Sequence, residues 1–317
     1  MAGCQLLCIK SLFYPPDMTS PITRRQALSQ LGVGAALLTG ATTLPAAVAD
    51  KPMPARSGRI KQSVCAWCYG KIPLEQLCAA AAEMGLASVE LLQPKDFAIA
   101  KKHGLTCALV SNPITKVGDV TVGGISRAWN RLEYHDALVA AYEVQLQATA
   151  AAGLTRLICF SGNRAGMADA QGLANCAVGL RRILPLAEKL GITLCMELLN
   201  SRVDHKDYMC DRTEWGVALC QALGSEHFKL LYDIYHMQIM EGDVIATIQR
   251  HHQYIGHYHT AGVPGRHELD ENQELFYPAI MRAILATGYT GFVGQEFIPR
   301  NADALAGLRA GVVLCDV

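Results

Sequence analysis

From Lys61 onward, short apolar or β-branched runs alternate with longer stretches in which apolar residues recur every three or four positions. A bounded apolar run reads as a strand buried on both faces, and a 3.6-residue period reads as a helix lying over it. The runs at 62–67, 87–92, 105–110, 155–160, 191–197, 228–233, 255–260 and 291–297 predict eight strands. Helical periodicity at 73–84, 95–103, 129–152, 175–190, 213–223, 243–252, 277–287 and 301–311 predicts the helices that follow them, several closing near a glycine such as Gly85, Gly104, Gly153 or Gly288. Eight such units without a break in composition predict a single α/β domain, a (β/α)8 TIM barrel. The rival, an open doubly wound sheet, calls for a glycine-rich phosphate turn after an early strand. The glycines of SGNRAG open no evident helix, and Gly123 and Gly124 follow no strand.

The amino-terminal stretch has a different pattern. Residues Thr23 to Leu28, TRRQAL, resemble the twin-arginine export motif and precede a weakly apolar run ending in Ala47, Val48 and Ala49. This predicts a cleavable signal over 1–49, the barrel over 50–317 and a periplasmic product. Gly, Thr and Pro45 dilute the run, whereas a membrane span wants about 20 predominantly apolar residues, so no stable span is expected. Counting from Met18 places Arg24 and Arg25 seventh and eighth, the usual position in such signals, and Met18 reads as the true start.

Removing residues 1–49 takes away Lys10, Arg24, Arg25 and Asp17 and leaves 25 basic against 27 acidic side chains. A body so close to neutral offers no electrostatic footprint for nucleic acid or an acidic membrane. Ten cysteines remain. In an exported chain that count first suggests disulfides, but twin-arginine substrates fold before export. Cys107, Cys159 and Cys195 lie inside apolar runs and are expected as core. Cys65 and Cys68, with Trp67 and Tyr69 around them, are expected as a packed first strand and its exit.

Four of the predicted strands end on a metal-binding type of side chain: Glu197 in CMELLN, Asp233 in LLYDIYHMQ, His259 in GHYHTAG and Glu296 in FVGQEF. Their separations of 36, 26 and 37 residues match one strand-plus-helix unit, so the four converge at the carboxyl ends of strands 5 to 8. Three carboxylates and one imidazole suit Mn²⁺ or Mg²⁺ and, through the imidazole, Co²⁺ or Zn²⁺. A metal so held chelates the adjacent oxygens of a hydroxy-carbonyl compound and makes the intervening carbon-bound proton acidic. Glu197 and Glu296 are then the proton-moving pair, and the outcome is isomerisation or epimerisation through an enediolate without a redox cofactor. His236 can hydrogen-bond a substrate hydroxyl or serve as a capping residue. Arg266, in GVPGRHELD, can meet an anionic substrate end or remain a solvated loop arginine, and Arg164 with Asn163, after the fourth strand, are similar candidates. Glu90 and Asn112 fall on the same face.

VELLQP, FSGNR, ELLN, YDIYHMQIMEGD, GHYHTAGVPGRHELD and GYTGFVGQEFIP together resemble hydroxypyruvate isomerase and its relatives in the xylose-isomerase-like barrel superfamily. The resemblance spans nearly all of 60–300. It implies a divalent metal at Glu197, Asp233, His259 and Glu296 and the two glutamates as acid and base. Ketose 3-epimerases of that superfamily similarly use histidines that match His259 and His236. The expected activity is isomerisation of a small hydroxy-keto acid or keto-sugar, with ketose 3-epimerisation and a non-catalytic exported sugar-binding role as alternatives. An endonuclease IV-like phosphodiesterase would want more histidines and a basic surface. A homo-oligomer is the base-rate expectation.

Overall fold

The computed structural model describes residues 56–317; the twin-arginine motif, the run behind it and Met18 lie outside the described residues. Among the described residues nine short strands occur: β1 (Lys61–Cys65), β2 (Ser88–Glu90), β3 (Thr115–Val117), β4 (Val120–Val122), β5 (Arg156–Cys159), β6 (Thr193–Glu197), β7 (Phe228–Asp233), β8 (Ile255–Thr260) and β9 (Phe292–Gln295). Seven of them form one parallel sheet in the order β2, β1, β9, β8, β7, β6, β5. β3 and β4 make a separate antiparallel hairpin that the apolar pattern did not predict.

The strand expected at 105–110 departs from a regular ladder. It makes isolated parallel bridges, Ser88 with Thr106, Leu92 with Val110 and Val110 with Leu157. Two local features interrupt the ladder. Ser88 Oγ accepts the Ala108 N–H at 2.8 Å, and Leu91 turns out of extended backbone with φ at 57°. The segment still spans from β2 to β5, with Val89 N donating to Thr106 O at 3.2 Å and Ile158 N donating to Val110 O at 3.0 Å. The curled sheet thereby closes as a TIM barrel.

Helices α1 (Leu74–Glu83), α2 (Phe97–Lys102), α3 (His135–Ala151), α4 (Asp169–Leu190), α5 (Thr213–Leu223), α6 (Ile234–Met240), α7 (Val244–His251), α8 (Tyr277–Ala286) and α9 (Ala304–Leu314) connect and follow the strands. Each long helix buries one stripe, as with Leu138, Tyr142 and Leu146 in α3 and Leu180, Ile183 and Leu184 in α4. Each such side chain stabilises by about 1.5–3 kcal/mol on full burial. α4 begins six residues before its predicted start at 175. Gly172 masked that first turn in the sequence, and packing explains it: a Cβ there would stand 1.9 Å from Met209 Sδ. α6 was likewise not predicted, because it starts directly at the strand end, capped by Asp233.

Among the described residues no helix is long and apolar enough to cross a membrane. The ten cysteines from Cys65 to Cys315 are free thiols, nine of them buried, as expected for core residues.

Candidate active site

Alternate residues of a strand face the barrel interior, and the register aligns the inward positions at one end. Asp233 stands opposite His259 and His259 opposite Gly294. Glu197 closes β6, and Glu296 follows β9, its N–H donated to Thr260 O at 2.9 Å. One ligand atom from each of Glu197, Asp233, His259 and Glu296 lies within 4.8 Å of the other three, and all four residues are buried.

The polar atoms in this cluster converge without satisfying one another. His259 Nδ1 lies 2.8 Å from Glu296 Oε2 and 3.8 Å from Glu197 Oε1. Yet His259 Nδ1 and Glu197 Oε1 have no hydrogen-bond partner. Asp233 divides its oxygens: Oδ1 caps α6, accepting from Tyr235 N at 2.8 Å and His236 N at 3.3 Å. Its Oδ2 faces the cluster, 3.4 Å from Arg266 Nη2. Buried polar atoms left unpaired at close range mark a missing partner, and three carboxylates with one imidazole fit a divalent cation.

Burial pushes the Asp233 carboxyl well above the ordinary carboxylate range, against the pull of Arg266. Glu197 is raised by burial and by the charge of Glu296. Burial also opposes ionisation of Glu296, but His259 and Arg266 outweigh it and hold that group well below its usual value.

His259 is oriented from the other side. Its Nε2 lies 2.7 Å from Glu90 Oε1, the same oxygen that meets His257 Nε2 at 2.8 Å. Burial pushes His257 below its ordinary value, so it faces Glu90 as a neutral N–H donor. Burial would raise Glu90, yet the contacts of both histidines hold it far below the usual range. Burial would lower His259, yet its contacts with Cys65, Glu296 and Glu197 raise it well above its ordinary value; a cation would take the place of the Nδ1 proton, and the Glu90 carboxylate keeps the other proton on Nε2. Gly294 makes room for this arrangement, since a Cβ there would stand 2.5 Å from Glu90 Oε1.

A cavity of about 490 Å³ opens onto the cluster, lined at this end by Glu197, Glu296, Arg266, Trp67 and His205. Trp67 Nε1 donates to Glu296 Oε1 at 2.8 Å, and Arg266 Nη2 donates to Glu296 Oε2 at 2.6 Å. The guanidinium lies 5.2 Å from the Trp67 ring and 5.5 Å from the Tyr235 ring. His236 is fully buried. Its Nδ1 accepts from Asn200 Nδ2 at 2.7 Å, which places its proton on Nε2, 3.6 Å from Asp233 Oδ2 and without a hydrogen-bond partner. Six of the residues singled out in the sequence therefore come together. Arg164 and Asn163 do not line the cavity. Arg164 is held by Asp169 at 2.6 Å and Asp211 at 3.0 Å, and Asn163 bridges the backbone of Tyr208.

The family model described as xylose isomerase-like TIM barrel matches residues 78–312. The chain belongs to that family. Among its curated relatives, 2-oxo-tetronate isomerase of Cupriavidus necator is 33% identical over 249 residues, 75% of this chain and 90% of that protein. Hydroxypyruvate isomerase of Escherichia coli is 30% identical over 236 residues, 72% of this chain and 89% of that protein. Among solved structures, an AP endonuclease, family 2, of Brucella melitensis superposes with a TM-score of 0.68 at 26% identity, covering 78% of this chain and 97% of that one. D-psicose 3-epimerase superposes at 0.64 with 17% identity, over 81% of this chain and 96% of that one, a likeness of fold.

Within this xylose isomerase-like barrel, four contributors were hard to read from the sequence. Cys65 ends β1 with its Sγ 3.6 Å from both Glu90 Oε1 and His259 Nε2, His257 lies within β8, and only the alternation of His257 with His259 hinted that both histidines face inward. Glu90 was placed on the correct face but not beside His259. Trp67, expected as core packing, is instead 47% exposed on the turn Ala66–Tyr69 and lines the cavity. That turn carries the ring out of β1 and over the site.

Proposed function

We propose that this isomerase is divalent-metal-dependent and interconverts small hydroxy-keto acids, R–CHOH–CO–COO⁻ and R–CO–CHOH–COO⁻, by moving a carbon-bound proton between adjacent carbons while the hydroxyl proton passes between their oxygens. The observation that carries the reading is the buried quartet of Glu197, Asp233, His259 and Glu296, in which Glu197 Oε1 and His259 Nδ1 are unpaired, beside a cavity lined by Glu197 and Glu296. The names of the two relatives, a 2-oxo-tetronate isomerase and a hydroxypyruvate isomerase, support it. When bound there, a divalent cation polarises the substrate carbonyl and stabilises charge on its oxygens; the hard donor set favours Mn²⁺ or Mg²⁺.

The protein's own groups divide the remaining work. Glu197, with an unpaired oxygen and a proton affinity raised by burial, takes the proton from one carbon and returns it to the next. Proton transfer by a positioned carboxylate is typically worth about 10²–10⁴-fold. Glu296 stays ionised between His259 and Arg266 and serves as the second carboxylate flanking the substrate. Arg266 meets the substrate carboxylate with a planar fork suited to it. His236 Nε2–H is a free donor for a hydroxyl. Trp67 covers the site and limits water.

The unequal state of the two glutamates favours isomerisation, which one shuttling carboxylate completes. Epimerisation needs a second acid on the opposite face. The ketose 3-epimerase reading is supported by His236 and His259 and by the D-psicose 3-epimerase fold likeness, and it predicts inversion at carbon 3 of a ketose. A non-catalytic sugar-binding role would leave two carboxylates at one cluster unexplained. The twin-arginine motif supports export of the folded protein. The test is to incubate purified protein, loaded with Mn²⁺ and then stripped with a chelator, with hydroxypyruvate and 2-oxo-tetronate and follow products by ¹³C NMR. Isomerised product from the loaded sample alone is expected. Absence of product in both, or a 3-epimer of a ketose as the sole product, overturns the reading.

A further inference from the structure

We propose that the substituent R on the preferred substrate is apolar, an alkyl or aryl group, and that the outer half of the cavity is its binding site. This rests on the isomerase reading above. The cavity volume of about 490 Å³ lies in the range of roughly 300–1,000 Å³ that houses drug-sized ligands, more than a three- or four-carbon acid requires. Beyond the metal-ligating end its wall is made by Leu91, Ile114, Ile125, Ile158, Phe160 and Leu199.

The Ser111 hydroxyl and Asn112 amide on that side already donate. Ser111 Oγ donates to Leu91 O at 2.7 Å, and Asn112 Nδ2 donates to Gly123 O at 2.7 Å. His205, with an unpaired Nε2, packs its ring 5.3 Å from His236 and so belongs to the polar end. A sugar chain with a hydroxyl on every carbon would lose water along the apolar wall without gaining partners, at a cost of roughly tenfold in affinity per hydroxyl. An alkyl chain loses nothing there and gains about fourfold per buried CH₂. At the mouth, Ile114 and Trp67 are 57% and 47% exposed, large apolar side chains that a tail leaving the cavity would cover. The two ends thus fit one molecule with an anionic, oxygen-rich head and an apolar tail.

The experiment uses the Mn²⁺-loaded protein with 3-hydroxy-2-oxo acids in which R is hydrogen, hydroxymethyl, ethyl, butyl or phenyl. Isomerisation kcat/KM is expected to rise about fourfold per CH₂, with ethyl above hydroxymethyl. Ile114→Ser, at an exposed position and checked for fold by circular dichroism, is expected to narrow the gap between hydrogen and butyl. A hydroxymethyl compound that outpaces the ethyl one, or a flat series, overturns the inference. Binding of the unreactive pyruvate and 2-oxohexanoate, followed by Trp67 fluorescence, separates the two readings. Affinity that rises with chain length while no compound isomerises upholds the tail site and sinks the isomerase reading. Affinity that stays flat overturns the tail site whatever the turnover.

Discussion

Glu90 Oε1 lies 2.7 Å from His259 Nε2 on the side of the ring away from the carboxylate cluster. The contact fixes which ring nitrogen carries the proton, and it does so from β2, on the far side of β1 and β9 from the strand that bears His259. Such partners of a ligating histidine typically change metal affinity by about 10–100-fold. Glu90→Gln keeps the shape but removes the charge shared by His257 and His259. Competition against a fluorescent chelator should show Mn²⁺ affinity lower by that factor, and unchanged affinity would show that Glu90 does not orient the ligand.

Glu197 and Asp233 should separate under mutation. Glu197→Gln is expected to lower turnover at least about 100-fold while a metal still binds through the other three groups. Asp233→Ala should lower metal content and also loosen the first turn of α6, because Oδ1 accepts from Tyr235 N and His236 N. Loss of a cap typically costs about 1 kcal/mol. Metal analysis and thermal unfolding of the two variants check both halves.

Arg266→Lys keeps a positive charge but not the planar fork. With acid substrates KM should rise about tenfold or more while kcat changes less, as expected when a binding contact is lost. Equal effects on an uncharged ketose would show that Arg266 does not receive the substrate carboxylate.

His236 gives the pH dependence of stability. Burial pushes it well below its ordinary value of 6.5, so the folded protein keeps it neutral while the unfolded chain takes up a proton as pH falls through 6.5. Stability is therefore present above that pH and lost below it, by about 1.4 kcal/mol per unit for such a group. Urea unfolding at pH 7.5 and 5.5 should show the loss, and His236→Gln should reduce it by about 1.4 kcal/mol. An identical loss in the variant would mean that His236 is protonated in the folded state.

The four strand-end residues of the cluster were legible because each interrupts the end of an apolar run, where a polar side chain has no core reason to stand. The barrel was legible in the eight apolar runs alternating with helical periodicity. The helix reading failed at α4 and α6 for opposite reasons: Gly172 concealed a turn that packing against Met209 requires, and Asp233 starts a helix at the residue that ends a strand. The irregular segment at 105–110 looked like any other apolar run, since Ser88 Oγ, not the run itself, interrupts its ladder. Arg266 and His236 were visible as polar residues near the ligands, whereas the pairing of Arg164 with Asp169 and Asp211 depends on contacts that loop position does not disclose. Glu90 and His257 meet only because the closed sheet brings β2 and β8 across its interior.

The most direct measurement is solvent-deuterium incorporation during turnover in D₂O with Mn²⁺, for the parent and Glu197→Gln. The parent should place deuterium at the two adjacent carbons that exchange hydroxyl and carbonyl, in a metal-dependent way, and the variant should incorporate at least about 100-fold more slowly. Isomerisation without metal, or exchange in Glu197→Gln as fast as in the parent, would contradict a proton transfer carried by Glu197 at the Glu197, Asp233, His259 and Glu296 cluster.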